Sequence, residues 1–430
     1  MALTILSQPS NYQPVYTADG NNLSFVLNST ISQQCSMKYV ADVYVRGDLV
    51  TTIKNSPNLE DGKCVIQIHE VLSDFISYDK WIGPNFQTCT QSFATYSVRF
   101  GEESDGSLDC SGTSFDTVYS GSTFSNTAFN GTIQYFDQTF NPVAYYVGPS
   151  YNNSSAKFLS NGPSTRSVGE SDTPVLYYIS SDEVLSGSGP SASHGLEVTV
   201  TSTTGATAIW NVLNGVASEA GSILAIAVGP QQINDYVDQG IVRLYHGTVA
   251  TQSIIDCDTA SYKVRITNYQ TQVVMSEQIT FTNNCDCSRY TPFTITWLNK
   301  RGGFDTYTFR LKSTRIINND KKEWSRFLST LQPDDSFTYQ IGDRGSSVYS
   351  SISFETATVL SEWQTESEQV WTAEIFDSPE VYRVVNGPYY LPVVVGNKSV
   401  EIKNKKGYGD RLLSRTVEFT YSYEIVNQRG

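Results

Sequence analysis

Histidine, the side chain that most often moves protons near neutral pH, occurs only three times in 430 residues, as His69, His194 and His246. None has a partner three or four residues away, which excludes a helix-borne zinc pair of the H-E-x-x-H kind. Each is read as a structural or surface histidine. Nucleophile-elbow, phosphate-loop and calcium-loop patterns are missing as well. Acid pairs such as Asp334-Asp335 and Asp256-Cys257-Asp258 have the look of turn residues. Alanine and leucine, the main helix formers, are not prominent, and no apolar run approaches membrane-spanning length. The opening Met1-Ala-Leu-Thr-Ile-Leu lacks the basic segment and long apolar core of a secretory signal. No enzyme chemistry, cofactor, metal or membrane insertion is therefore expected.

Charge is also thin: charged residues are 17% of the chain and the net charge is −14. It is unevenly spread. Residues 289–430 hold 18 Lys and Arg against 17 Asp and Glu, leaving 11 against 26 for residues 1–288. An acidic front part repels phosphate backbones, so nucleic acid is not expected as the main partner. Seven cysteines, at 35, 64, 89, 110, 257, 285 and 287, are an odd number without a secretory signal, and they are expected to be reduced and mostly buried. Cys285-Asp286-Cys287 lacks the C-x₂-C spacing of a zinc site.

What is abundant is aromatic and β-forming. Aromatics reach 12%, with 27 tyrosines, the profile of strands faced with Tyr, Thr and Ser. The class is all-β, with several β-sandwich domains of the immunoglobulin or fibronectin kind and a few short helices. Four regions are expected: an N-terminal sandwich over 1–148, a connecting segment with one strand over 149–194, a central sandwich over 195–288, and a C-terminal β domain over 289–430. The Ser-, Asn- and Gly-rich composition of 149–194 sets that segment apart; only Val175-Leu-Tyr-Tyr-Ile interrupts it. Residues 101–125 read as a loop or a solvent-facing arm. Short helices are expected after His69, near Glu323–Leu328, and over about ten residues after Thr365, where Glu368 has capping-box spacing. Thr416–Ile425 alternates over ten residues and reads as one long strand, central in its sheet or paired with a neighbouring subunit.

The most informative stretch is Pro292–Leu311. Phe293, Ile295 and Trp297 alternate with threonines, Asn299-Lys-Arg-Gly-Gly303 makes a tight reversal, and alternation resumes from Phe304. The spacing predicts a hairpin with a basic tip and an aromatic base. WLNKRGGFDTYTF, Trp297 to Phe309, resembles the W-L-N-x-x-G-G-F-D-x-Y-x-F signature of virion structural proteins of tailed phages infecting Bacteroidota, the crAss-like podoviruses among them. The opening Met1–Tyr16 and the stretch Leu360–Tyr382 are similar to segments of such proteins. The resemblance implies a multi-copy virion component of the tail, collar, ring or fibre region, made in the host cytoplasm, and brings no catalytic residues with it.

The expected function is thus non-enzymatic: interfaces with copies of itself and with other tail or collar proteins. Candidate interface residues are the aromatic anchors Trp297, Phe304, Tyr307, Trp363 and Trp371 and the basic Lys300, Arg301, Lys405 and Lys406. The basic residues, with Arg310, Lys312, Arg315 and Lys403, are expected to meet the acidic front region of an adjacent copy head to tail. The alternative is a receptor- or glycan-binding fibre protein, using loops around Tyr145, Tyr146 and Tyr151 against a host surface glycan. A polysaccharide hydrolase has no residue constellation behind it.

Overall fold

The computed structural model describes residues 3–17, 21–30, 36–83, 85–105, 115–134, 141–148, 154–181, 194–216, 220–244, 250, 252–269, 271–284, 289–342, 345–385, 389–397, 399 and 414–425. Contacts divide the chain into two units: 1–286 with 298–306, and 287–297 with 307–430. The first unit carries two cores. In one, a five-stranded sheet (order Gln13–Thr17, Asp116–Ile133, Phe93–Ser104, Lys38–Val45, Asp48–Asn55) faces a three-stranded one (Thr4–Ser7, Ser24–Asn28, Cys64–Gln67). Period-two alternation turns Tyr39, Ala41 and Val43 inward opposite Val98 and Phe100, where they meet Phe25, Leu27 and Ile66. Phe25 lies edge-on to Phe100 at 4.9 Å. Helix α1, His69–Ser73, adds Leu72 to this core.

The second core of this unit lies between a six-stranded and a four-stranded sheet. The six-stranded order is Thr165–Gly169, Ile279–Asn284, Thr259–Thr267, Gly195–Ser202, Thr207–Leu213, Val242–Leu244. The four-stranded order is Tyr146–Val147, Val175–Ser180, Ile223–Ala227, Gln87–Thr88. Leu196, Val198, Val264 and Phe281 from one sheet meet Leu176, Tyr178, Leu224 and Ile226 from the other, which makes a β-sandwich. Helix α2, Pro230–Asp238, starts with proline at its first turn and buries Ile233, Tyr236 and Val237 against the same core.

The stretch 149–194 therefore differs from the expected connection. Its described residues supply two strands: Thr165–Gly169 pairs in parallel with Ile279–Asn284, and Val175–Ser180 is buried along its whole length. Composition misleads here because an edge strand such as TRSVG is held by backbone hydrogen bonds to a distant partner, which do not need apolar side chains. Residues 116–125 also belong to a strand, paired as far as Ser104 with Asp116.

The second unit is built on a seven-stranded sheet in the order Phe304–Phe309, Phe293–Leu298, Val381–Val385, Tyr389–Val395, Thr416–Tyr421, Ser346–Leu360, Ser313–Ser325. Helix α3, Glu366–Asp377, begins with the expected capping box. Thr365 Oγ1 accepts from the Glu368 N–H at 3.3 Å, and Glu368 Oε2 accepts from the Thr365 N–H at 2.7 Å. It buries Trp371 and Ile375 against Ile295, Trp297, Val417 and Phe419. The strand Thr416–Tyr421 is central, as one of the two expected arrangements had it, but shorter than the alternation promised; Ile425 makes only an isolated bridge to Ser353. No helix forms at 323–328. Glu323, Trp324 and Ser325 continue a strand paired with Ser346–Val348, so the helical spacing of Trp324, Phe327 and Leu328 has no core to turn towards.

Candidate functional site: the hairpin tip and an apolar arm

The hairpin forms where alternation and paired glycines placed it, but its tip is spent on the chain's own fold. Residues 298–306 group with the first unit. Asn299 Oδ1 accepts from the N–H groups of Arg301 (2.8 Å) and Gly303 (3.2 Å), and its Nδ2 donates to Leu159 O (2.8 Å) and Asp305 Oδ2 (3.0 Å). Asp305, fully buried, accepts from Ser160 Oγ at 2.6 Å and lies 3.8 Å from the Arg166 guanidinium. Burial lowers the pKa of Arg166, and Asp305 and Glu277 oppose that shift. Burial likewise raises Glu277, whose carboxylate accepts from the Phe158 N–H at 3.0 Å. Gly302 has φ +90°, and a Cβ there would fall 1.4 Å from Asn130 O. At Gly303 it would fall 2.8 Å from Leu159 O. Only glycine fits either place.

This locates the expected interface residues. Trp297 is fully buried and packs on Trp371 at 5.3 Å, and Tyr307 meets Trp371 edge-on at 6.0 Å. Phe304 sits between Tyr78 (5.7 Å) and Tyr177 (6.3 Å). These four are packed inside their own chain and offer no anchor to a partner. Lys300 is half-buried, its carbonyl accepting from the Thr132 N–H at 2.7 Å, and Arg301 Nε donates to Asn161 Oδ1 at 3.0 Å. The basic tip is thus engaged with the first unit. Trp363 is 62% exposed and open to a partner. Lys403, Lys405 and Lys406 lie outside the described residues. Arg310 is buried 3.9 Å from Glu362, and Arg315 Nη2 donates to Glu355 Oε2 at 2.8 Å. Tyr145 and Tyr146 are buried, the second donating its hydroxyl to Asn11 O at 2.6 Å, while Tyr151 lies outside the described residues.

The surface that sequence reasoning missed belongs to the second unit. Ser313–Ser325 and Ser346–Leu360 pair over their lengths, and beyond the part of Ser346–Leu360 that also pairs with Thr416–Tyr421 they continue as a two-stranded arm. Towards its end a second, short ladder joins Thr330–Leu331 to Phe337–Thr338 around a turn in which Asp334 Oδ1 accepts from Ser336. From Asp320 to Ile352 no described residue is buried. Yet this segment is not polar. Phe327 (73% exposed) and Phe337 (61%) pair edge-on at 5.7 Å, and Leu331, Tyr339 (74%) and Ile341 stand beside them in sequence, all exposed. Along the arm Ile316, Trp324, Ile352 and Phe354 are exposed too. Thirteen large apolar residues between Ile316 and Phe354 are exposed. At roughly half of the 150–250 Å² that a large side chain can bury, they present on the order of 1,000 Å² of apolar surface, divided between the two faces of the ribbon. A monomer's largest apolar patch is about 300–600 Å², and a stable interface takes about 800 Å² per partner. The signal was available as alternation in Ser346–Leu360, but with no run of apolar residues it did not stand out.

Elsewhere the described residues offer little chemistry. No group of three or more His, Cys, Asp or Glu among them could hold a metal ion. His194 is buried against Tyr178, whose hydroxyl lies 3.4 Å from its Nδ1, and His246 lies outside the described residues. Cys64 and Cys89 are free and buried, whereas Cys257, expected to be reduced, is disulfide-bonded. An open groove of about 360 Å³ in the first unit is lined by Gly47, Thr95–Ser97 and Ser125–Thr127. No helix among the described residues is long and apolar enough to cross a membrane.

No protein-family model and no curated protein matches the chain. Among solved structures it is similar to a chimeric titin Z1Z2-Z1Z2 tandem, with 12% identity over 66% of this chain and all of that one and a TM-score of 0.14. It is also similar to the N-terminal four Ig domains of Dscam1 isoform 1.9, with 9% identity over 83% of this chain and 68% of that one, again at a TM-score of 0.14. At those scores the likenesses carry no weight, and the all-β class rests on the sheets themselves.

Proposed function

We infer that this chain is a non-enzymatic structural component of a phage virion, present in many copies in the tail, collar, ring or fibre-attachment region. It acts through protein–protein interfaces with its own copies and with other virion proteins. The observation that carries this is the arm: a paired strand ladder with no buried described residue from Asp320 to Ile352, which displays large exposed apolar side chains on both of its faces. The hairpin whose sequence resembles virion proteins supports the viral part of the reading.

The test is assembly of the purified chain, followed by light scattering and negative-stain microscopy. The unsubstituted chain is expected to form a defined multimer, and a chain carrying F327S, F337S and Y339S to stay smaller with its strand content unchanged. A chain monomeric at every concentration and indifferent to these substitutions overturns the reading. A receptor- or glycan-binding reading has the groove beside Tyr96 and Asn126 in its favour; specific binding on a glycan array, lost in N126A, would prefer it.

A further inference from the structure

The strand Ser313–Ser325 is the last in its sheet, and among the described residues nothing pairs with its outer side. Thirteen residues is long for an edge, and every second N–H and C=O on it faces away from the sheet unpaired. The irregularity in the ladder, between Lys322 and Glu323, puts the extra residue, Tyr349, on the other strand, so the edge itself runs straight. Such an edge is a template for another strand.

We propose that this edge pairs antiparallel with the same edge of a second copy of the chain, about a twofold axis at Asn319. This rests on the reading of the chain as a multi-copy structural component and names the contact. Two edges of equal length satisfy each other completely only when the axis passes through the middle residue, and the middle residue of Ser313–Ser325 is Asn319. In that register Arg315 lies opposite Glu323, Asn318 opposite Asp320, and Lys321 and Lys322 opposite Ile317 and Ile316. No like charges oppose. Moving the axis one residue towards the C-terminus sets Asp320 against itself. Moving it one residue the other way sets Arg315 against Lys321. Like charges directly opposite in a ladder are unfavourable, so charge and length select the same register.

The apolar side chains agree with it. Even-numbered residues of the strand share a face with Ile352 and Phe354, through the pairs Asp320–Ile352 and Asn318–Phe354. Across the axis, Trp324 of one copy falls diagonal to Ile316 of the other, about 7–8 Å along the ladder and within reach of an indole. The two Ile316–Trp324 contacts then flank the paired Asn318 and Asp320 at the centre, with Ile352 and Phe354 on the outer strands, where each copy alone leaves these four apolar residues exposed.

Cysteine cross-linking reads the register. Under a mild thiol oxidant, Asn319→Cys is expected to give a covalent dimer on a non-reducing gel well above the background of the unsubstituted chain. Ile317→Cys and Lys321→Cys should each fail alone and cross-link when mixed. In sedimentation, Asn319→Asp and Asn319→Lys should each associate at least about tenfold more weakly than the unsubstituted chain, and their equimolar mixture should recover. Circular dichroism of each variant checks that the strands persist. Assembly that continues without these cross-links and without a response to charge at 319 overturns the pairing and leaves the structural reading standing. A chain that never associates overturns both.

Discussion

Replacing Gly302 by alanine should cost the first unit far more than a surface turn substitution. Two separate terms add. At φ +90° a Cβ-bearing residue is strained by about 1–2 kcal/mol, because left-handed backbone brings Cβ against the neighbouring carbonyl. The new Cβ would also lie 1.4 Å from Asn130 O, when ordinary contact is beyond about 3.4 Å, so about 2 Å of backbone must give way. Forcing extra volume into a packed site costs about 1–3 kcal/mol more. Nothing at the position is a flexible side chain; Asn130 is tied at both ends, its N–H donating to Ser92 O at 2.8 Å and its Nδ2 to Ser77 O at 2.6 Å. The sum, about 2–5 kcal/mol, is the expected loss in denaturant titration of the first unit's transition. If the tip escapes instead by undocking, the loss is capped at the docking free energy. The Thr132 amide, which donates to Lys300 O, then loses its protection against hydrogen exchange. G302A with unchanged stability and unchanged Thr132 protection would refute the reasoning. It would return Lys300 and Arg301 to the role of a partner-facing tip.

Three further outcomes follow from the packing and the charges. Trp371→Ala removes the indole that fills the space between Trp297 and Tyr307 and should destabilise the second unit by about 3–5 kcal/mol in a calorimetric or denaturant assay; a loss under about 1 kcal/mol would mean that α3 does not anchor this core. Glu355 is held below the usual carboxylate range, first by its hydrogen bond to Arg315. The stability it lends is present above the unfolded-state pKa of about 4.3 and is lost as pH falls through the lower folded value. In R315A the carboxyl should titrate higher by NMR, and an unmoved titration curve would deny the pair. Cys64, its thiol pushed up to about 11 by burial, and Cys89, pushed up by burial as well, should resist alkylation at pH 8 until the chain is denatured; rapid labelling of either in native buffer would contradict their burial.

How far the fold could be read in advance depended on whether its cause was local. The glycine pair at 302–303, the capping box Thr365/Glu368 and the alternation of Val417, Phe419 and Tyr421 are each written within a few neighbouring residues, and each produced its element. Thr165–Gly169 was illegible because its partner, Ile279–Asn284, lies over a hundred residues away and the bond is main-chain. Helix α2 leaves little trace in the sequence because the buried strand Ile223–Ala227 runs almost directly into it, and one apolar face of three residues is a weak periodic signal. The interface candidates failed for a different reason. Aromatic residues fill cores and interfaces by the same chemistry, so spacing could not separate Trp297, which is fully buried, from Trp363, which is exposed.

That separation matters for what the viral resemblance can mean. Its most specific residues, Trp297 through Phe309, are consumed by packing inside the chain, so they speak to how the chain folds. The segment with the strongest claim to a partner, Asp320–Ile352, carries none of the resembling sequence and none of the core. If folding and recognition are divided in this way, the arm is removable. Asn319 and Ser353 face each other in the ladder, with Ser353 Oγ donating to Asn319 Oδ1 at 2.6 Å, so a two-residue Asn-Gly turn can join them in place of Asp320–Ile352. The shortened chain should keep the strand content of the remainder and the melting transitions of both units, within about 1 kcal/mol, because every described residue removed was solvent-accessible. It should also lose association in light scattering, since most of the exposed apolar surface goes with the excised segment. A shortened chain that melts early would show the arm to be part of the second unit's core. One that assembles as before would move the partner-facing surface elsewhere, with exposed Trp363 the next place to test.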